Sequence, residues 1–262
     1  MLDPTRYEAI SIDRRDDGVV LATLNRPDRL NAVNAQMHHE LAWLTRDVDA
    51  DPSAKVLVIT GAGRAFCAGG DFGPQPATSD PGMTLEEGRQ IVDHLLECSK
   101  PVISAVNGYA MGLGATVALL CDVVYAAESA VFADTHVKMG IGAGDGGQVI
   151  WPLLMGVNKA KYFLMTGDRL TAAEAERMNL VNFVVPDGTV VDEALALASR
   201  LAAGPGVAIS ASKMAINNFM RTVSSIVLPL SLALEGASMR SADHREAVKA
   251  FQEKRDPNFT GT

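Results

Sequence analysis

The chain has 262 residues, of which 48% are hydrophobic, and this composition predicts a large folded core rather than disorder. Its formal net charge of −8 argues against nucleic acid or an anionic membrane as a partner. Three cysteines without a Cys-x-x-Cys motif predict neither a disulfide framework nor a zinc site, and we expect no metal. Because no signal-peptide pattern or membrane-length apolar run is found, we expect a cytoplasmic protein.

The first hundred residues alternate between strand and helix patterns. A strand is predicted at 19–24, and Asn34 is a candidate N-cap for a helix that ends near residue 51. A second strand is predicted at 56–60. The residues Thr84-Leu-Glu-Glu87 form a capping-box pattern, which predicts the start of another helix.

The alternation continues to about residue 190, and helical patterns alone follow it. We predict strands at 102–106, 123–126, 130–133 and 181–185, helices at 112–120, 146–155 and 158–165, and a helix capped by Thr171-Ala-Ala-Glu174. The helical region is predicted to be interrupted at Gly204-Pro205-Gly206 and at Pro229. The pattern therefore predicts an α/β core over 1–195 and a helical region over 196–262.

Two glycine-rich segments follow the strands predicted at 56–60 and 102–106. The first contains Phe66-Cys-Ala68-Gly-Gly-Asp71, and the second contains Asn107-Gly-Tyr-Ala-Met-Gly-Leu113-Gly114. Glycine adopts positive φ and allows close approach to backbone N–H groups, so two such turns can direct two donors at one oxygen. That arrangement is the geometry of an oxyanion hole.

These segments, together with Leu24-Asn-Arg-Pro27, Thr166-Gly167 and the C-terminal residues 250–255, resemble the crotonase superfamily, or enoyl-CoA hydratase/isomerase family. The resemblance covers essentially the whole chain. It implies a spiral of ββα units whose C-terminal helices pack between the subunits of a homotrimer or a hexamer. It also implies an acyl-CoA substrate in fatty acid metabolism, with CoA as part of the thioester and no separate cofactor.

The resemblance also implies roles for individual residues. The backbone N–H groups of Ala68 and Leu113 would form the oxyanion hole. Backbone groups near Arg26 and at Ala65 to Ala68 would contact the pantetheine and adenine of CoA. Phe251 and Lys254 would approach the adenine and the phosphates, typically from a neighbouring subunit.

Hydratases of this family add water with two glutamates, and this chain lacks both. Alignment of the second glycine turn puts Thr116 at the first glutamate position, and alignment of Phe132 to Gly140 puts His136 at the second. Neither residue is a carboxylate, so we do not expect efficient standard hydration.

His136 and Asp145, nine residues apart, are the acid–base candidates in place of the glutamates. A carboxylate at Asp145 resembles dehalogenases, dienoyl isomerases and naphthoate synthases of the superfamily. The His–Asp spacing is also similar to that of its β-diketone hydrolases. Three interpretations stay open: a lyase or isomerase that forms a thioester enolate, a carbon–carbon bond hydrolase, and a non-catalytic acyl-CoA binder.

Several other residues receive structural interpretations. Residues 142–147 match the Gly-x-Gly-x-x-Gly pattern of nicotinamide-dependent oxidoreductases, but the residues before them are too polar for the strand which that motif needs. His38 and His39 are assigned to a solvated helix face. Glu235 is assigned to a helix surface or subunit contact, with the pocket as an alternative, and Asp71 is expected to hold the first glycine turn.

Overall fold

The computed structural model describes residues 2–73 and 81–262, and of residues 81–84 it describes the backbone only. The strands are β1 (Ile10–Arg14), β2 (Val19–Leu24), β3 (Val56–Gly61), β4 (Ala65–Cys67), β5 (Val102–Val106), β6 (Tyr109–Met111), β7 (Val123–Ala127), β8 (Val131–Ala133), β9 (Leu170–Thr171) and β10 (Phe183–Val185). The helices are α1 (Ala35–Ala50), α2 (Pro81–Glu97), α3 (Leu113–Leu120), α4 (Gly147–Met155), α5 (Val157–Thr166), α6 (Ala172–Arg177), α7 (Val190–Ala202), α8 (Gly206–Ser238) and α9 (Ala242–Glu253).

Two sheets form the α/β part of the molecule. The larger sheet has the order β1-β2-β3-β5-β7-β10 and is parallel except for the pairing of β1 with β2. The smaller sheet has the order β4-β6-β8-β9, in which β4, β6 and β8 are parallel. Every residue of β3 and β5 is buried, as expected for parallel strands covered on both faces.

The chain passes three times from the larger sheet to the smaller one, and the first two passages adjoin the two glycine-rich segments. The first runs from β3 to β4 and the second from β5 to β6. These two passages cross closely, because a Cβ atom added at Gly108 would lie 2.2 Å from the carbonyl oxygen of Arg64. Glycine is therefore required at this crossing, which brings the two turns side by side.

Most of the predicted elements are confirmed. The Asn34 side chain accepts the N–H of Met37 at 3.0 Å and caps α1. The capping box of Thr171 and Glu174 opens α6. Cys67, Cys98 and Cys121 are all free and buried.

Two predictions about these elements need correction, and four strands were missed. Helix α2 begins at Pro81 rather than at Thr84, whose side chain lies outside the described residues. Pro229 lies inside α8 and does not interrupt it. The strands β1, β4, β6 and β9 were not predicted, and β4, β6 and β9 have only two or three residues each, too few to establish a period of two.

The predicted boundary at residue 195 falls inside α7. Val190, Ala194, Ala198 and Ala202 of this helix pack on the larger sheet, against Val56, Val58 and Ile103 among others. The whole of α7 therefore belongs to the α/β core, and the C-terminal helical region begins at Gly206. Among the residues described, no single helix is long and apolar enough to cross a membrane; the bent pair α7 and α8 meets that test only when taken together.

Candidate active site

A cavity of about 200 Å³ lies between α1, α2, α8 and the two glycine turns. Apolar side chains form much of its wall, namely Val33, Phe72, Leu85, Met139, Ile141 and Leu232. The ionisable groups at the cavity are His38, Asp71, His136, Asp145 and Glu235. Such a cavity, apolar with a few polar groups, suits a small acyl group.

Leu113 presents one backbone donor to this cavity. It is the first residue of α3, so its N–H has no acceptor within the helix, and it has none elsewhere in the described chain. Gly112 before it has a φ of 51° and donates its own N–H to the carbonyl of Ala133 at 2.9 Å. This bond holds the turn to β8, and the dipole of α3 adds positive potential at the donor.

The assignment of the other donor to Ala68 is wrong. The N–H of Ala68 donates to the carbonyl of Leu30 at 3.0 Å and is already satisfied. Val33 bonds to the residues on either side of Gly70, because its N–H donates to Gly69 at 2.8 Å and its carbonyl accepts from Asp71 at 3.0 Å.

Gly70 is the residue of the first turn with an available donor. Successive N–H groups of an extended segment point to opposite sides, so the Gly70 N–H points away from Val33. Within residues 2–73 and 81–262 it has no acceptor, and Gly70 borders the cavity. The two turns touch, since a Cβ atom added at Gly69 would lie 3.1 Å from the carbonyl oxygen of Met111.

The structure brings His136 and Asp145 together, as an ion pair beside the second turn. His136 Nε2 lies 3.1 Å from Asp145 Oδ2, and His136 Nδ1 lies 2.6 Å from Asp134 Oδ1. A Cβ atom added at Gly112 would lie 3.4 Å from His136 Cε1. The imidazole therefore lies between two carboxylates and against the oxyanion turn, and its side chain is only 12% exposed.

These contacts set the protonation states of the pair. Burial alone would lower the pKa of His136, but the charges of Asp145 and Asp134 outweigh it and raise that pKa well above its usual value. Burial would raise the pKa of Asp145, but the charge and hydrogen bond of His136 lower it overall. An imidazolium facing an ionised Asp145 carboxylate is the favoured state near neutral pH.

The side chain of Asp145 is held by Thr116 and does not cap a helix. It does not cap α4, because Gly146 occupies that position and no side chain caps the helix. Its Oδ1 instead accepts the hydroxyl of Thr116 at 3.4 Å, a long bond from the residue aligned with the first hydratase glutamate. That position serves here to orient Asp145.

Glu235 of α8 also belongs to this cluster, so its assignment to a helix surface is wrong and the pocket alternative is right. The residue is 4% exposed, and its Oε2 has no hydrogen-bond partner in the part of the chain described. Burial, with the nearby charge of Asp145, raises the pKa of Glu235 to about 8. One carboxylate oxygen each of Glu235 and Asp145 and one ring nitrogen of His136 lie within 4.8 Å of one another. Because both ring nitrogens of His136 contact carboxylates, an ion-pair network describes the cluster better than a metal site.

The residues predicted to contact CoA are found in different places. Arg26 binds the Asp71 carboxylate at 2.9 Å and the carbonyl of Ala32, so it braces the first turn. Ala65 is buried in β4, and its carbonyl accepts a hydrogen bond from Asn31 at 2.8 Å. Neither Arg26 nor Ala65 borders the cavity.

Phe251 and Lys254 lie at the C-terminal end of α9. The ring of Phe251 is 58% exposed and lies 6.3 Å from the ring of Phe72, which borders the cavity. Lys254 ends the helix with a φ of 55°, and its side chain is exposed. The structure thus brings Phe251 near the cavity within the same chain, although a neighbouring subunit was expected to supply it.

Residues 142–147 lack the structural context of a dinucleotide-binding motif, as the polar residues before them predicted. A turn of 3-10 helix at His136–Met139 precedes the segment, where that motif requires a buried strand. The segment instead carries Asp145 to the cavity.

A family model described as enoyl-CoA hydratase/isomerase matches residues 14–262. The chain belongs to the enoyl-CoA hydratase/isomerase family. It is 40% identical over 255 residues to 1,2-epoxyphenylacetyl-CoA isomerase of Escherichia coli, a match that covers 94% of this chain and 96% of that protein. The resemblance stated from the sequence is therefore confirmed, and the chain is an enzyme of the lyase and isomerase type found in this family.

Solved structures of the family have the same fold. An enoyl-CoA hydratase/isomerase from Mycobacterium paratuberculosis superimposes with a TM-score of 0.88 and 40% identity, covering 92% of this chain and 97% of that one. A β-diketone hydrolase from the cyanobacterium Anabaena, bound to (S)-3-oxocyclohexyl acetic acid, superimposes with a TM-score of 0.82 and 31% identity, covering 89% of this chain and 95% of that one. The crotonase-like fold class is confirmed.

Proposed function

We propose that the protein isomerises an acyl-CoA thioester through an enolate held by the N–H groups of Gly70 and Leu113. The observation that carries this proposal is the pairing of two backbone donors, which have no acceptor among the described residues, with the Asp145–His136 ion pair at one cavity. Such donors stabilise charge that develops on a carbonyl oxygen. Asp145 is the base and His136 its partner.

Each group then has a defined task. The ionised Asp145 carboxylate takes a proton from the α-carbon, and the electron pair of that C–H bond moves to the thioester oxygen. The two backbone donors bind this oxygen. The His136 imidazolium compensates the charge of Asp145 and orients it, while Glu235, neutral below a pKa of about 8, is a proton donor at the same wall.

Hydration is disfavoured because the two positions that hold the catalytic glutamates in hydratases have other occupants. Thr116 donates to Asp145, and His136 is bound on both ring nitrogens. Neither residue offers a free carboxylate with which to hold and deprotonate a water molecule.

A carbon–carbon bond hydrolase of the β-diketone type is a second candidate. The observation that favours it is the His136–Asp145 pair, together with the likeness to the Anabaena hydrolase. In that reaction water adds to a ketone carbon and the adjacent C–C bond breaks, which leaves an enolate. The same two backbone donors would stabilise that enolate.

Mass spectrometry of a substrate panel separates these candidates. The panel contains saturated, 2-enoyl, 3-enoyl and 3-oxoacyl CoA esters and a cyclic 1,3-diketone, each incubated in H₂O and in D₂O. Exchange of α-hydrogens with conversion of a 3-enoyl to a 2-enoyl ester of unchanged mass in H₂O would support the proposal. Cleavage of the diketone with gain of one water would favour the hydrolase, and binding of a CoA ester without any turnover would indicate a non-catalytic binder.

A further inference from the structure

A second pair of ionisable groups stands at the same cavity, on α1 and α2. His38 borders the cavity and is 9% exposed, so it is not on a solvated helix face as its sequence position suggested. Its Nδ1 lies 2.9 Å from Oε2 of Glu87. The other oxygen of Glu87 contacts Nδ1 of His39, also at 2.9 Å.

The carboxylate of Glu87 determines which nitrogen of His38 can exchange a proton. Burial would raise the pKa of Glu87, but its bonds to His38 and His39 lower it overall, so the carboxylate is ionised. An ionised carboxylate only accepts hydrogen bonds. His38 therefore carries a proton on Nδ1 and donates it in the hydrogen bond to Glu87. Nε2 has no partner among the side chains and backbone groups described, and it is the nitrogen able to gain and lose a proton.

The pair lies close to Asp145. A Cβ atom added at Gly88, next to Glu87, would lie only 3.8 Å from Cβ of Asp145, so the missing side chain brings α2 against it. The charge of His38 is near enough to contribute to the lowered pKa of Asp145. One cavity thus contains two acid–base units, carried by different elements of the fold.

We propose that His38, oriented by Glu87, is a second proton-transfer residue in the reaction; this inference rests on the proposed function. For a 3-enoyl thioester, Asp145 removes a proton from C2, and the electron pair delocalises to the thioester oxygen. The His38 imidazolium then gives its Nε2 proton to C4. The C3=C4 pair bonds this proton, the C2=C3 double bond forms, and the thioester carbonyl is restored. Asp145 afterwards releases its proton to water, and His38 takes one up.

Removal of His38 should impair the proton transfer to C4 and leave the removal of the C2 proton intact. In His38→Gln, we expect 3-enoyl to 2-enoyl isomerisation to fall by about 10²-fold, the lower end of the usual effect of a general acid. Exchange of the α-hydrogens of a saturated acyl-CoA in D₂O should stay within about threefold of the parent, because that step uses Asp145 alone. Glu87→Gln should lower isomerisation about tenfold with little change in KM.

His39→Gln is the matched control, because His39 contacts the same carboxylate while its side chain is 57% exposed and does not border the cavity. We expect both of its rates to stay within about threefold of the parent, because Glu87 keeps its bond to His38. Parental isomerisation in His38→Gln would overturn this inference alone, and so would an equal loss of exchange and isomerisation. Absence of α-hydrogen exchange in the parent would overturn the proposed function itself.

Discussion

The two ring nitrogens of His136 have different carboxylate partners. Nδ1 is bound to Asp134, which is fully buried, and Nε2 faces Asp145 at the cavity. Asp134 therefore fixes the ring, while Asp145 is the partner that can reach substrate. We therefore expect that removal of either His136 or Asp145 lowers the activity to about the same extent, because the two side chains act together.

We expect His136→Ala and Asp145→Asn each to lower kcat by about 10²–10⁴-fold with little effect on the Kd for a CoA ester. The double variant should be scarcely worse than either single variant, because each removes the same proton transfer. Steady-state kinetics with calorimetric binding measures both quantities. His94→Ala is the control, since His94 bonds to the carbonyl of Ala42 and does not border the cavity. If the loss of kcat in the double variant equalled the product of the two single losses, His136 and Asp145 would act independently, which would contradict this prediction.

Glu235 should make the stability of the protein depend on pH. Its pKa is raised in the folded state to about 8, whereas an unfolded glutamate titrates near 4.3, so the folded state binds more protons between these values. The contribution of Glu235 is fully present below about pH 4.3 and is lost as the pH rises toward 8. The loss amounts to at most about 1.4 kcal/mol per pH unit.

Glu235→Gln has no such titration, so the variant should gain stability relative to the parent as the pH rises from 5 to 8. Urea unfolding of both proteins at several pH values measures the difference. His136 and Asp145 are present in both proteins, so the comparison of the two proteins removes their contribution to first order. A difference that does not change with pH would show that Glu235 is ionised in the folded protein.

At the scale of elements, the start of α3 supplies the donor of Leu113. Proline is tolerated at the first position of a helix, so Leu113→Pro removes the N–H with the least disturbance that the fold allows. We expect its turnover to fall by on the order of 10²–10³-fold, as for loss of one oxyanion donor. Leu113→Ala keeps the N–H and should be far milder, although it loses buried contacts. Equal losses of kcat in the two variants would refute the donor role.

At the scale of the whole molecule, α8 presents an apolar surface that the described part of its own chain leaves uncovered. Ile226, Leu230 and Leu234 repeat every four residues and are 73%, 63% and 52% exposed. Leu228 and Leu232 of the same helix are instead buried in the core of the chain itself. A contiguous apolar surface of this kind marks a site of protein association.

We therefore expect a trimer or a dimer of trimers, in which this surface is buried between subunits. The double variant Ile226→Asp with Leu230→Asp should lower the molar mass in light scattering, because the new charges would have to be desolvated. The parent should keep the higher mass at micromolar concentration. A monomeric parent, or a double variant of unchanged mass, would rule out this surface as the interface.

The sequence by itself determined the family, most elements of the α/β core and the segment that carries each glycine turn. These features are local, because caps, hydrophobic periodicity and glycine clusters depend on residues close together in the chain. Asn34, Thr171 and the buried strands β3 and β5 were found in this way. The similarity of the His136–Asp145 spacing to that of β-diketone hydrolases likewise indicated a pair.

Only the tertiary structure decided which groups are available at the site. The N–H of Ala68 donates to the carbonyl of Leu30, 38 residues earlier in the chain, so among the described residues the N–H of Gly70 is the one available in the first turn. His38 and Glu235 looked like surface residues because helix periodicity does not show which partner covers a face. Hydrogen-bond satisfaction and burial depend on residues far apart in sequence, and these two properties separate a catalytic group from a structural one.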